Sequence, residues 1–329
     1  MRYPILLPNI FNHPFTYDSD KKLKVGQYVV VPFGKSKIIG IVWNEFEKNI
    51  KKDFKLKKII KSIDTPILNI STIKFLNWFS KYNLIPLGMS LKLHLLSNNA
   101  YESLNSDVFD KYSKTSKSNQ FEFSEEQKKV LLKIKQNKKF FRVHLLQGTT
   151  GSGKTMVYFK SIKDKLKQGY QALILLPEIG LTYEFEKKFR EFFGFNAAVW
   201  HSGISLKSKK IVWNGLASGK IKVVIGARSA LFLPFKNIGE IVVDEEHDQS
   251  FKQDEGVIYN ARDMAITRAK FENIPIMLVS AVPSVETYNN VKNKKYSSSR
   301  LIKRYKNAQL PNYEIIDLRK NKPERKSFI

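Results

Sequence analysis

The spacing of apolar positions changes character twice along the chain. Residues 25–32 and 37–43 are short β-branched runs with Phe33-Gly34 as a turn signal between them, and residues 57–63 offer a third strand. The period then lengthens. Ile73, Leu76 and Phe79 fall on one face of a helix that Ser71 can cap and that runs to Tyr82. Pro86 opens a second short helix through Leu96. Residues 98–120 carry Asn, Ser, Lys and Asp with few apolar positions and read as a linker. From Phe121 strand and helix patterns alternate. Strands are predicted at 141–147, 172–176, 196–200, 221–225, 240–243 and 275–280, and helices at 125–136, 154–168, 181–193, 205–218, 261–271 and 284–291. Runs such as Ala172-Leu173-Ile174-Leu175-Leu176 are apolar throughout, which suits parallel strands covered on both faces. After about Val291 the pattern thins into a Lys/Ser/Asn-rich tail, and there is no internal repeat. The pattern predicts an α/β protein: a β-rich unit over 1–97, the linker, a parallel-sheet lobe over 121–300 and a remainder over 301–329.

Composition narrows the partners. The 329 residues suffice for two domains and a sizeable core. No apolar run approaches the roughly 18 residues of a membrane span, and the start is too short and proline-broken for a signal peptide. There are no cysteines, which excludes disulfides and thiolate zinc sites and fits a reducing compartment, so a cytoplasmic location without zinc is expected. The formal net charge of +27 points to a polyanion such as nucleic acid. The basic residues are mostly lysine, however, and an AT-rich coding sequence produces the same excess. Attraction to phosphate also carries no base specificity.

Two motifs carry chemistry. Gly148-Thr149-Thr150-Gly151-Ser152-Gly153-Lys154-Thr155 has the GxxxxGK[ST] spacing of a P-loop. Its glycines let several backbone N–H groups face one anion, Lys154 adds charge at the β/γ-phosphates, and the Thr155 hydroxyl is a ready Mg²⁺ ligand. A predicted strand precedes the motif and a predicted helix follows it, and a helix N-terminus favours phosphate. The strand ending at Val243 runs into Asp244-Glu245-Glu246-His247. Carboxylates at the C-terminal end of a parallel strand face the ligand crevice. Asp244 is expected to hold the metal and Glu245 to orient or deprotonate the attacking water. His247 lacks a second metal ligand at suitable spacing, so a coupling role is expected. The alternatives are a ligand-free Gly-rich turn and an acidic loop capping the next helix.

These residues, with Leu176-Pro177-Glu178-Ile179-Gly180-Leu181-Thr182, His201-Ser202-Gly203 and Gly226-Ala227-Arg228-Ser229-Ala230-Leu231-Phe232, stand in the order seen in the PriA family of superfamily 2 replication-restart helicases, which the chain resembles. The resemblance implies a RecA-like ATP-binding lobe preceded by a small β-rich domain that binds the 3′ end of a DNA strand. It implies ATP and Mg²⁺ as cofactors and ATP-dependent 3′–5′ unwinding at forks. Forked or single-stranded DNA, primosome proteins and single-stranded DNA-binding protein are the implied partners, with no membrane. Gln127 matches the adenine-reading glutamine, and Ser280 belongs to the coupling motif. Arg228 is expected to face DNA. Phe251, Lys252 and Tyr259 lie in an aromatic-rich coupling loop, where rings can stack on bases; core packing is the other reading of Phe251 and Tyr259. Phe15 and Tyr17 match the strand-end site. The family's Ser-Ala-Thr reads Ser280-Ala281-Val282 here, and its Phe-Asp-Tyr reads Phe15-Thr16-Tyr17. Val257 and Ile258 stand where an aromatic and an arginine are expected. Family members also carry a winged-helix domain, a second lobe and a zinc module, so unaided unwinding is not expected of these 329 residues. Two further readings remain: a fork- and ATP-binding protein without helicase activity, and an unrelated P-loop kinase or ATPase.

Overall fold

A computed structural model describes residues 1–45, 56–96, 104–113, 121–136, 140–177, 180, 182–305 and 317. The N-terminal unit is a five-stranded antiparallel sheet of β1 (Arg2–Leu6), β2 (Phe15–Asp18), β3 (Tyr28–Phe33), β4 (Ser36–Val42) and β5 (Lys61–Ser62), in the order β2-β1-β4-β3-β5. The two central β-branched runs are β3 and β4, and they pair across the expected turn, Phe33 opposite Ser36. Two strands escaped the pattern. β1 contains Pro4, and β2 alternates Phe-Thr-Tyr-Asp over only four residues, too short a run to stand out. The third predicted strand shrinks to β5 and an isolated bridge between Asp18 and Lys58.

Helices α1 (Ile70–Tyr82) and α2 (Leu87–His94) follow. The cap of α1 is Asn69 rather than Ser71: its side chain accepts from the Thr72 N–H at 2.6 Å. Ser71 already lies in the first turn. Within the predicted linker, Ser106–Tyr112 form a 3₁₀ helix, and its one strongly apolar ring, Phe109, is buried. Most of the remaining linker lies outside the described residues.

The lobe alternates as expected. Its elements are α3 (Glu125–Gln136), β6 (Arg142–Gly148), α4 (Lys154–Lys167), β7 (Gln171–Leu175), α5 (Tyr183–Phe193), β8 (Ala198–Trp200), α6 (Leu206–Ser218), β9 (Val223–Gly226), β10 (Ile238–Asp244), the small hairpin β11 (Lys252–Gln253) and β12 (Tyr259–Asn260), α7 (Ala261–Glu272), β13 (Pro275–Ser280), α8 (Val285–Lys292) and β14 (Ser297–Leu301). The main sheet is parallel throughout, in the order β14-β6-β13-β10-β7-β9-β8. β14 corrects the predicted thinning after Val291. It is a serine-rich edge strand whose inward residues are Ser299 and Leu301.

Alternate strand residues feed two cores. Leu146, Ile174, Val242 and Val279 pack with α4 and α5 on one face. Leu145, Leu173, Ile241 and Leu278 face the other way, into a core that continues through Phe232 and Trp213 to Phe75, Phe79 and Tyr28 of the N-terminal unit. The two units therefore share one apolar interior. A third cluster of Ile5, Tyr17, Val29 and Val31 covers the outer face of the small sheet.

Candidate functional site

The C-terminal ends of β6, β10 and β13 carry the predicted chemistry to one edge of the sheet. Gly148 closes β6, and Gly151 and Gly153 both adopt φ of +81°, a region costly for any side chain. A Cβ at Gly153 would also stand 2.3 Å from Gln127 Nε2. The loop thus needs glycine for two reasons, conformation and space. Lys154 opens α4, and its Nζ donates to the Gly148 carbonyl at 2.8 Å, across the mouth of the loop. Thr149, Thr150 and Gly151 are exposed, while Ser152 is buried within the turn. Gln127 is fully buried. It accepts from the Ser124 N–H at 3.0 Å and donates to the Ser152 carbonyl at 3.1 Å, so it holds the loop's backbone.

Asp244 ends β10 beside this loop. Tyr158, one turn into α4, donates its hydroxyl to Asp244 Oδ2 at 2.8 Å. Tyr158 therefore holds Asp244, one of the two expected Mg²⁺ ligands, from the helix that carries the other, a role that motif spacing alone did not reveal. The signal was present, since Thr155 and Tyr158 are three residues apart on one helical face. Burial pushes Asp244 up to about 6, against the Tyr158 bond, which favours its charged form. Burial and the adjacent Asp244 keep the Tyr158 phenol protonated.

Glu245 is one of four non-glycine residues with positive φ among the described residues, at +46°. That conformation is strained for a glutamate, and such strain gathers at functional turns. It lifts the carboxylate off the strand end, where the side chain is 44% exposed. Glu246 turns inward and is buried. His247 Nδ1 lies 2.8 Å from Ser280 Oγ, which also accepts from the Val282 N–H at 3.0 Å. The expected coupling pair is thus in contact. Among the described residues no group of His, Asp and Glu forms a ready-made metal cage. The single carboxylate and the hydroxyl fit an Mg²⁺ ion that keeps water and phosphate oxygens among its ligands.

The expected nucleic-acid residues divide. Arg228 donates to the Lys252 carbonyl at 2.8 Å, joining the Gly226–Phe232 motif to the β11–β12 hairpin, and the Lys252 side chain is exposed. Phe251 and Tyr259 are 1% and 3% exposed. Tyr259 packs edge-on against Phe79 and Phe232 at 5.5 Å from each. These two rings belong to the packing between the units, not to a stacking surface, because tertiary contacts cover the faces a base would need. Phe15 is half-buried and meets Phe11 and Phe33 edge-on at 5.3 Å. Tyr17 is buried and donates its hydroxyl to the Pro32 carbonyl at 3.0 Å, so the phenol braces the turn. Of the Leu176–Thr182 motif, Glu178, Ile179 and Leu181 lie outside the described residues.

A family model described as DEAD/DEAH box helicase matches residues 124–291, and one described as the 3′DNA-binding domain (3′BD) of PriA matches residues 4–95. The replication restart protein PriA of Rickettsia conorii is 41% identical over 332 residues, which cover 99% of this chain and 49% of that protein. That of Haemophilus influenzae is 45% identical over 179 residues, 54% of this chain and 24% of the relative. The chain spans about half the length of the Rickettsia relatives it matches. Among solved structures, the UvsW helicase from bacteriophage T4 aligns with a TM-score of 0.40 at 18% identity, covering 61% of this chain and 68% of that one.

Proposed function

The chain belongs to the DEAD/DEAH box helicase family, in its PriA branch, and on that premise we propose that it is a replication restart protein that binds ATP–Mg²⁺ and forked DNA. The family activity assigned to it is ATP-dependent 3′–5′ unwinding at stalled forks for primosome assembly. The observation that carries this reading is the convergence of Lys154, Thr155, Tyr158 and Asp244 at one sheet edge, with His247 and Ser280 in contact beside them. The loop N–H groups and Lys154 would take the phosphates, and Gln127 would hold the loop at the adenine side. Thr155 and Asp244 would hold Mg²⁺, which supplies charge neutralisation at the β/γ-phosphates. Glu245 would orient the attacking water and accept its proton. Arg228 and Lys252 present cations to the DNA, and Phe15 marks the corner of the small sheet suited to a strand end. The division of labour assigned to the chain is 1–97 for the DNA end, 98–120 as connection, 121–300 for ATP and 301–329 as its continuation. DNA, primosome proteins and single-stranded DNA-binding protein are the proposed partners, and the cytoplasm the proposed location. Among the described residues no helix is long and apolar enough to cross a membrane.

The test is binding of a labelled ATP analogue with Mg²⁺ to wild type and Lys154→Ala. Tenfold or greater weakening is expected, because a phosphate contact of this charge-assisted kind is worth roughly 1.5–3 kcal/mol. Equal affinities would remove the site assignment. Binding to a fork should fall steeply with salt, the log–log slope steepening by about 0.7–0.9 for each phosphate neutralised. A second reading, binding without unwinding, is favoured by Val282, which stands 70% exposed where a coupling hydroxyl is expected. Robust ATP-dependent strand displacement by this chain, lost on Glu245→Gln, would eliminate that second reading.

A further inference from the structure

We infer that Glu246 is a positioning residue: a buried anchor through which the acidic turn controls the start of α8. The inference rests on the ATP-site reading above. Two consecutive residues of the turn grip the segment after β13 from different sides. His247 meets Ser280 at its beginning. Glu246, with its side chain fully buried, takes hold four residues later. Its Oε1 accepts from the Ser284 N–H at 2.8 Å. Its Oε2 accepts from the Ser284 hydroxyl at 3.1 Å, the Thr287 hydroxyl at 2.9 Å and Arg262 Nη1 at 3.3 Å. The Glu246 N–H itself donates to the Val279 carbonyl at 3.0 Å.

This arrangement makes Glu246 a second cap for α8, supplied from a different strand. Ser284 is the helix's own N-cap, and the carboxylate adds negative charge where the helix dipole favours it. Four donors converge on one carboxylate, so its displacement disturbs the Ser284 N–H and hydroxyl, the Thr287 hydroxyl and Arg262 together. Arg262 cannot substitute, because it is a donor held by Asp263 at 2.8 Å and by the Ser284 hydroxyl at 2.8 Å. Despite burial, which works against its charge, the carboxylates of Asp263 and Glu246 hold the Arg262 guanidinium above its usual pKa.

The link is directional. Glu246 follows Asp244, the expected Mg²⁺ ligand, and Glu245, whose backbone is strained. A change of φ/ψ at Glu245 must displace Glu246 and, with it, Ser284 and Thr287. Between the two anchors only Ala281, Val282 and Pro283 span the gap. Beyond them Val285 and Tyr288 are 81% and 62% exposed, one helical turn apart, so any displacement of α8 moves an apolar surface.

The test is amide hydrogen exchange over residues 282–288, with and without a non-hydrolysable ATP analogue and Mg²⁺, in wild type and Glu246→Gln. The glutamine keeps the acceptor for the Ser284 N–H but turns a donor toward three donors. In wild type the analogue is expected to change exchange at these amides severalfold. In Glu246→Gln the analogue should bind within about twofold of wild-type affinity while that change disappears. A purely structural Glu246 would instead lower stability and leave the nucleotide-dependent change in place, which overturns the inference. Wild type that binds the analogue with no change over 282–288 overturns it as well. Wild type that fails to bind sinks the ATP-site reading first, and this inference with it. If Glu246→Gln does not fold, Thr287→Val removes one donor from the same carboxylate. It should at least halve the change, and a fully retained change counts against the proposal.

Discussion

Glu240 and Asp244 sit four residues apart on β10, and both carboxylates are buried among apolar strands. Burial raises Glu240 to about 7 and Asp244 to about 6. Ser161 donates to Glu240, its hydroxyl within 2.8 and 2.9 Å of the two oxygens. With a folded-state pKa above the unfolded value, the native state binds more protons than the unfolded chain in between. Stability from each group is therefore greatest in acid and is lost as pH rises through its folded pKa. His94 and His144, both lowered to about 4 by burial, act in the opposite sense, their contribution being lost as pH falls below the usual histidine range. The two pairs offset each other between about pH 4 and 7. Glu240→Gln removes one side of that balance. It is expected to be more stable than wild type by up to about 3 kcal/mol at pH 8, the gain vanishing near pH 4–5. Thermal melts across pH check this, and a gain that is independent of pH would contradict it. Asp244 answers to a different measurement. Its charge is needed for Mg²⁺, so Mg²⁺-dependent affinity for an ATP analogue should drop as pH falls below about 6.

At the scale of elements, the sequence locates helices better than it identifies what holds their ends. Both Asn69 and Ser71 are good caps by residue type, and only the backbone of the chain entering α1 decides between them. Asn69 has extended φ/ψ and its side chain bonds the Thr72 N–H; it also donates to the Phe235 carbonyl at 3.3 Å. Asn69→Ala should cost about 1–2 kcal/mol and Ser71→Ala less than about 0.5 kcal/mol in denaturant melts. The reverse ranking would restore Ser71 as the cap. β14 shows the complementary difficulty. Three consecutive serines have no strand signature, yet the strand pairs with β6 from Ser297–His144 to Leu301–Gly148. Its last residue packs within 3.0 Å of where a Gly148 side chain would begin. An element with no signal of its own thus closes the edge of the sheet and backs the phosphate loop.

Over the whole molecule, the two units behave as one body because polar and apolar contacts cross between them. His94 on α2 is the clearest example. A carbonyl can only accept, so the 2.8 Å contact with the Phe232 oxygen places the proton on Nδ1, and Nε2 accepts from the Tyr28 hydroxyl at 2.7 Å. Trp213 donates to the His94 carbonyl at 3.1 Å. Phe79 lies edge-on to Phe232 at 5.0 Å. The Arg228–Phe232 turn, expected to face DNA, is therefore fastened from behind by the small unit. His94→Ala removes the ring that bonds a buried carbonyl and a buried phenol. A loss of about 2–4 kcal/mol is expected, with the β-rich unit and the lobe still unfolding in a single transition. Two separated transitions in the wild type would show that the shared core does not unite them.

Some of this protein was legible from residues alone. A P-loop must be glycine-rich, a buried parallel strand must be apolar, and carboxylates at the C-terminal end of such a strand face the ligand crevice. The α/β class and the lobe's strand and helix succession up to α8, apart from the small β11–β12 hairpin, followed from these local requirements. Tertiary structure decided the rest. Phe251 and Tyr259 satisfy stacking and core packing equally well as residue types, and only tertiary packing buries them, Tyr259 against Phe79 and Phe232. Tyr158, Glu246 and His94 act through partners 86, 38 and 138 residues distant, and no local period encodes a contact across such separations. Local sequence determines what a segment can become. The partner that reaches it through the folded chain determines which of those possibilities the side chain adopts.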